Sequence, residues 1–480
     1  MSINNEQIYH YNRNLMPHEN VHTIYKSLRE SNYTVLLQSS DSYSPKTSRF
    51  SIISAFPEML ITLRDSQLTL KQVNNKPDLK RNIHIANSTT FLSILSSLLE
   101  EYKPLYDKNL EHLPFLGGLL GYISYDFIRY IEKIPFKNVP DYIADAEFIL
   151  TKTAVIIDHK ESIVWAISNN KETLEILKQR INLCSQETDS KLKMKLVGEK
   201  KVSFTEDEFI EKVDKTKDYI CQGEIYQANI SIQFNQILKV KPFEFYKHLY
   251  NLNPSPFCAY AHIDDLFIIC NSPERLVKSY IDGRVETRPI AGTRGRSKNN
   301  TDDNKLEEEM IQSAKERSEH IMLVDLERND LGKVSEYGTV EVDELFTVEK
   351  YSHVMHLVSN VRSQLNNKYS FLDLIPAVFP GGTITGVPKI RCMEIIEELE
   401  NYRRGLYTGS IGYMDFRGSM DLNIVIRTMT LEEMPYGNYY AKMQFGAGIV
   451  ADSIGKYEYK ECIKKGMAIF DLLKSAEQVL

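Results

Sequence analysis

The chain has 480 residues, 42% of them hydrophobic and 26% charged, with a formal net charge of −7 at pH 7. That length buries a large core and allows two to four domains. An acidic balance without a basic stripe argues against nucleic acid as a partner; no apolar run reaches the roughly 20 residues of a membrane span; and the opening MSINNEQIYHYN lacks the apolar centre of a signal peptide.

In the first 170 residues the pattern predicts mainly strands: TVLLQS at Thr34–Ser39, RFSIIS at Arg49–Ser54 and AVIIDH at Ala154–His159. Phe115–Arg129 is apolar and broken by glycine, which predicts packing in the interior. Ser185–Lys201 is charged and poor in large apolar residues, which predicts a linker. The expected organisation is therefore an N-terminal region 1–185, a linker 186–202 and a catalytic domain 203–480. Cys184, Cys221, Cys258, Cys270, Cys392 and Cys462 form no CxxC pair. They read as reduced thiols of a cytoplasmic protein, not as a zinc or disulfide framework.

Beyond Ser203 the signals sharpen. Thr205 opens a capping box with Glu208, and Gly223 should end that helix. In IYQANISIQF, residues Tyr226, Ala228, Ile230, Ile232 and Phe234 form one face of a strand. Gln227, Asn229, Ser231 and Gln233 form the other, for which solvent is the default reading. Strands fit Phe267–Asn271 and Val285–Pro289. A charged helix over Asn304–Leu326 carries Glu316 and Glu319 on one face. SHVMHLVSNV holds His353 and His356. FPGGTITGVPK, at Phe379–Lys389, is a Gly/Thr loop running into a helix that extends to Glu400, a form that can offer N–H groups to an anion or simply cap a helix. The run Asn423–Met429 reads as a strand with Arg427 inside it; a buried guanidinium there needs an anion. Gly446 and Gly448 stand at a strand end, where backbone can approach a ligand. The last helices carry Glu458, Glu461 and Lys465 on one face.

Each of these features alone has a structural explanation. Together, two ExxE pairs suit Mg²⁺, which prefers oxygen ligands, and the basic groups suit a small substrate bearing carboxylates.

The motifs GEIYQANIS, NPSPF, SPERL, ETRPIAGTRGR, KERSEHIMLVDLERNDLG, EKYSHVMHLVSNV, FPGGTITGVPKIRCMEIIEELE, RRGLYTGSIGY, NIVIRT and FGAGIVADS resemble the chorismate-utilising enzymes. The resemblance extends more weakly to LLQSSD, SRFSI and FLGGLLGYISYDFIRYIE. It implies an α+β fold: a large antiparallel β-sandwich with flanking helices and two intertwined subdomains. It also implies roles. Glu319 and Glu461 would be the principal Mg²⁺ ligands, supported by Glu316 and Glu458. Arg427, Tyr407, Gly446, Ala447 and Gly448 would hold the enolpyruvyl carboxylate. Gly292, Thr293, Thr383 and Lys465 would make further substrate contacts. His356 would assist departure of the C4 hydroxyl, with Glu274 on the opposite side.

Gln227 stands where the water-using members carry a lysine base, so the resemblance implies the amino-transferring branch. That branch receives ammonia from a separate glutaminase subunit. FPGGTITG and MDLNIVIRT lean towards the aminodeoxychorismate synthases. Ala291, where some of these carry a lysine, leans towards the anthranilate synthases. Gln38 in LLQSS replaces the glutamate with which feedback-inhibited members hold tryptophan. A non-catalytic scaffold is the remaining alternative, opposed by the intact ExxE pairs, His356 and Arg427.

Overall fold

The computed structural model describes residues 6–17, 19–28, 32–39, 48–73, 81–136, 141–184, 191–297, 299–350 and 354–477. His353 and Ser40 lie outside them. Two large antiparallel sheets stack face to face. The first runs in the order Tyr9–Asn14, Ile163–Ser168, Ala154–Asp158, Phe50–Ser54, Tyr33–Gln38, Phe257–Ile263, Leu266–Ser272, Thr428–Met434, Asn438–Ile449, Gln227–Val240 and Met194–Val202. The second runs Ile290–Gly295, Val354–Gln364, Arg284–Thr287, Arg275–Ser279, Met420–Asn423, Ser410–Asp415, Gly118–Ile123, Ala146–Thr151, Met59–Arg64, Gln67–Gln72 and Arg81–His84. Both sheets draw strands from both halves of the chain, so the expected intertwined sandwich is the fold observed.

Alternation along the strands decides which side chain enters which layer. Val35 and Ile52 point between the sheets, where they meet Leu120, Ile149, Ile268 and Val425. Their neighbours Leu36 and Ile53 point outward, under helices that include Val21–Leu28, Pro242–Leu252 and Lys389–Leu399. The second sheet is covered in the same way by Ser88–Tyr102 and Ala314–Gly332. Three layers of core result, one inside the sandwich and one beneath each helical coat. Gly118–Ile123 is fully buried in the second sheet, as its apolar composition required.

Four expectations change. Residues 185–190 lie outside the described residues, but Met194–Val202 is not a linker. It is an edge strand on Gln227–Val240, and its charges face solvent, as an edge strand's can. The single helix expected over Asn304–Leu326 is two, Asn300–Gln312 and Ala314–Gly332. Ser313 is extended (φ −61°, ψ 109°) and its side chain caps the second. Asn423–Met429 is not one strand. Met420–Asn423 ends in the second sheet, Thr428–Met434 begins in the first, and residues 424–427 cross between them. Finally, the polar face of Gln227–Val240 does not meet solvent: Gln227, Asn229, Ser231 and Gln233 are all buried. A period of two distinguishes the faces of a strand but cannot say whether the polar one lines a site.

Candidate active site

The buried polar face of Gln227–Val240 is the floor of the site. Asn438–Ile449 pairs with it, placing Asn229 opposite Gly448 and Ser231 opposite Gly446. A Cβ on Gly446 would lie 2.5 Å from the Tyr407 hydroxyl, and one on Gly448 would lie 2.6 Å from Gln227 Nε2. The two glycines thus make room for Tyr407 and Gln227 to lie across the strand. Ala447, between them, points the other way into the core under the helices. Asn229 Nδ2 donates to the Tyr407 hydroxyl at 3.4 Å, and Gln227 Nε2 donates to Glu319 Oε1 at 3.4 Å. Lys465 Nζ donates to the Gly446 carbonyl at 3.0 Å and pairs with Glu461 at 3.0 Å.

The opposite wall is the crossover between the sheets. It is pinned by Thr408 N–H to Val425 O (2.8 Å), Val425 N–H to Gly409 O (2.9 Å) and Ile424 N–H to the Glu274 carbonyl (3.0 Å). Arg427 closes it at φ +52°, a left-handed conformation uncommon outside glycine. Such strain clusters at functional sites. Loss of water lowers the Arg427 pKa, and Glu274 acts against that fall. His356, on Val354–Gln364, has its backbone paired with Thr293. Burial, then the nearby Arg427 charge, hold its pKa down to about 3. Glu274 is also buried, and its pKa is pushed up to about 7 by desolvation. The Thr383 side chain, the Ile290 N–H, Arg427 and Lys465 all act against that rise. Near pH 7 Glu274 is therefore about half-protonated, and His356 is neutral.

The four glutamates stand on two helices. Ala314–Gly332 carries Glu316 and Glu319; Gly455–Lys465 carries Glu458 and Glu461. Gly292, at φ +27°, lets the first helix approach, because a Cβ there would meet Glu316 Oε2 at 2.6 Å. That oxygen is buried without a hydrogen-bond partner, an acceptor open to a cation. Hard carboxylate donors of this kind fit Mg²⁺. They are not gathered into one cluster: among the described residues no group of three or more His, Cys, Asp or Glu is placed to hold a metal ion. Arg294 pairs with Glu316 at 2.5 Å, and Lys465 pairs with Glu461.

Several supporting groups escaped the sequence reading. Arg404 and Glu400 form a buried two-bond pair at 2.9 and 2.8 Å. Arg404 also donates to the Asn229 and Ile384 carbonyls, while Glu400 accepts from Ser231 N–H and Oγ. One ion pair thus ties the site floor to the Gly/Thr loop. Its members lie in motifs whose charges looked like an ordinary helix end. Gln38 is buried too, and its Oε1 lies 2.7 Å from the Tyr246 hydroxyl and 3.1 Å from His22 Nε2. The rings of Phe243, Tyr246 and Tyr250 surround His22 edge-on.

The buried polar strand face, the two glycines of its neighbour, the buried Glu274 and the left-handed Arg427 come from both sheets and the segments that join them. The profile described as chorismate binding enzyme matches residues 76–471, and the chain belongs to that family. It is 46% identical over 383 residues to aminodeoxychorismate synthase component 1 of Bacillus subtilis (strain 168), spanning 78% of this chain and 80% of that one. It is 40% identical over 410 residues to anthranilate synthase component 1 of Aquifex aeolicus (strain VF5), spanning 81% and 80%. The crystal structure of anthranilate synthase component I from Streptococcus pneumoniae TIGR4 superposes with a TM-score of 0.72 at 32% identity, covering 88% of this chain and 92% of that one.

Proposed function

We propose that the protein replaces the C4 hydroxyl of chorismate with ammonia, giving 4-amino-4-deoxychorismate with the enolpyruvyl group retained. The 46% identity to aminodeoxychorismate synthase component 1 supports this product, and the observation that carries ammonia over water is Gln227. It lies on the site floor, hydrogen-bonded to Glu319. An amide has no basic nitrogen to deprotonate water, whereas ammonia arrives as a nucleophile. Similarity to a protein named as a component 1 supports a separate glutamine amidotransferase subunit as the ammonia source, in a heterodimer.

The substrate carries two carboxylates. Arg427, Tyr407 and the Gly446–Gly448 backbone receive one. Mg²⁺ held by Glu316, Glu319, Glu458 and Glu461 would offset the charge of the other; Glu316 and Glu461, paired with Arg294 and Lys465, would have to release these partners to hold it. Loss of the C4 hydroxyl needs a proton. Glu274, half-protonated near pH 7, is better placed to supply it than His356, which is neutral at that pH. The Ile290 N–H, 3.4 Å from Glu274 Oε1, fixes the carboxyl. His356 then shapes the pocket beside Arg427.

The second reading, an anthranilate synthase component, is favoured by Ala291, which is buried on the second sheet and offers no nucleophile to the ring. One assay separates them. The protein is mixed with chorismate, Mg²⁺ and an ammonium salt, and anthranilate fluorescence and pyruvate are followed. We expect chorismate consumption with neither signal, and 4-aminobenzoate with pyruvate only after a lyase is added. Prompt anthranilate and pyruvate would assign the second reading.

A further inference from the structure

Glu327 lies two turns beyond Glu319 on Ala314–Gly332, behind the Gly/Thr loop, and is 4% exposed. Among the described residues it has no ion-pair partner. Lys389, on Lys389–Leu399, is committed to Asp330 and to the Val378 carbonyl. Lys333 likewise pairs with Asp330, at 2.8 Å. The hydrogen-bond partner of Glu327 is Thr287, whose Oγ lies 3.1 Å from Glu327 Oε2. That same hydroxyl lies 2.9 Å from the Leu276 carbonyl. Thr287 has one hydrogen for two acceptors, and the carbonyl can only accept. The arrangement is fully satisfied when Glu327 carries a proton and donates it.

Glu327 and Glu274 hold one segment at two points, and both lie beside the Gly/Thr loop. Glu327 holds Thr287, and Glu274 accepts from the Ile290 N–H three residues on, at 3.4 Å. A Cβ on Gly382 would lie 3.7 Å from Glu327 Oε1, while the next residue, Thr383, faces Glu274. We propose that Glu327 is a positioning residue of the site: as a neutral acid it fixes residues 287–290 and the Gly/Thr loop against Glu274, and its ionisation loosens that setting at alkaline pH. Charges around it fit this role. Burial, then Asp330, push its pKa up to about 8 and Glu274 adds to the rise; Lys389 and the Thr287 hydroxyl oppose it.

The inference rests on the proposed role of Glu274, and its test has one arm that does not. In the first arm, kcat/KM for chorismate is followed with pH at constant free ammonia, using wild type, E327Q and E327A. The wild type should fall once above pH about 7 and more steeply above pH about 8. E327Q should keep neutral-pH activity within a few fold and lose the second, steeper fall. E327A should lose more than tenfold at all pH. The second arm is the melting temperature against pH, which needs no turnover. A carboxyl with a raised folded pKa binds its proton more tightly in the folded state, so it stabilises less as pH climbs from about 4.5 to about 8. E327Q should therefore gain on the wild type by a few degrees across that window, then run parallel above it. An unchanged steep alkaline fall in E327Q, or parallel melting curves throughout, would overturn the proposal. No turnover by the wild type, with the melting difference present, would fault the proposed reaction and with it the Glu274 role, while the melting arm would still support a neutral Glu327.

Discussion

At the scale of single residues, burial sets apart the two titratable groups His356 and Glu274. The family resemblance implied proton donation by His356, with Glu274 on the opposite side; burial moves the two in opposite senses, leaving the imidazole neutral and the carboxyl about half-protonated near pH 7. Glu274→Gln should cut kcat by about 10²–10⁴-fold with little change in KM, the usual loss for a general acid. The sign of its pH dependence follows from the acid form being the active one. In the wild type, activity should decline as pH rises through about 7, and steady-state rates across pH 6–8 check this. A Glu274→Gln protein as active as the wild type would return the role to His356. Gln38 makes a separate expectation. Its carbonyl is already engaged by Tyr246 and His22 within a ring of aromatic side chains. Tryptophan at millimolar concentration should therefore leave turnover unchanged.

At the scale of elements, the helix Ala314–Gly332 and the Arg404–Glu400 pair set the site's precision. Ser313 caps that helix, its Oγ 3.3 Å from the Glu316 N–H. Ser313→Ala should cost about 0.5–2 kcal/mol and, by loosening the first turn, raise the Mg²⁺ concentration for half-maximal activity; a titration of activity against Mg²⁺ reads this directly. Arg404→Met leaves the Glu400 carboxylate buried without its cation. The expected cost is about 3–5 kcal/mol, measured as a large fall in melting temperature, with Glu400 and Arg404 replaced together costing less than Arg404 alone. Most of these elements were legible in the sequence. The Thr205 capping box, the strand before Gly446 and the helix after Pro388 stand where periodicity put them, because each has a strong local signal. What was not legible depends on the other sheet. The break at Ser313 interrupts an unbroken run of helix formers, and the crossover at 424–427 hides inside an apolar run that reads as one strand. The same holds for the polar face of Gln227–Val240: polar alternation looks alike whether it meets water or is buried.

At the scale of the whole molecule, membership of the family was legible from motifs, and the sandwich with it. The separation into consecutive regions was not, because sequence order says nothing of which strands pair. Tyr33–Gln38 pairs with Phe257–Ile263, and Gly118–Ile123 pairs with Ser410–Asp415. Residues 203–480 expressed alone should therefore not fold. They would expose the unpaired edges of both sheets and appear as aggregate, whereas the two pieces expressed together should recover some soluble complex; solubility and gel filtration decide it.

The interleaving of the sheets also sets a timetable for synthesis. In the first sheet Gln38 lies beside Cys258, 220 residues later in the chain. At a translation rate of about 5–20 residues per second, the early strand waits roughly ten to forty seconds before its partner exists. During that interval the ribosome presents a growing set of hydrophobic strands with no sheet to join. Neither half can reach a native core before the other, so the nascent chain depends on being shielded until nearly all of it has emerged.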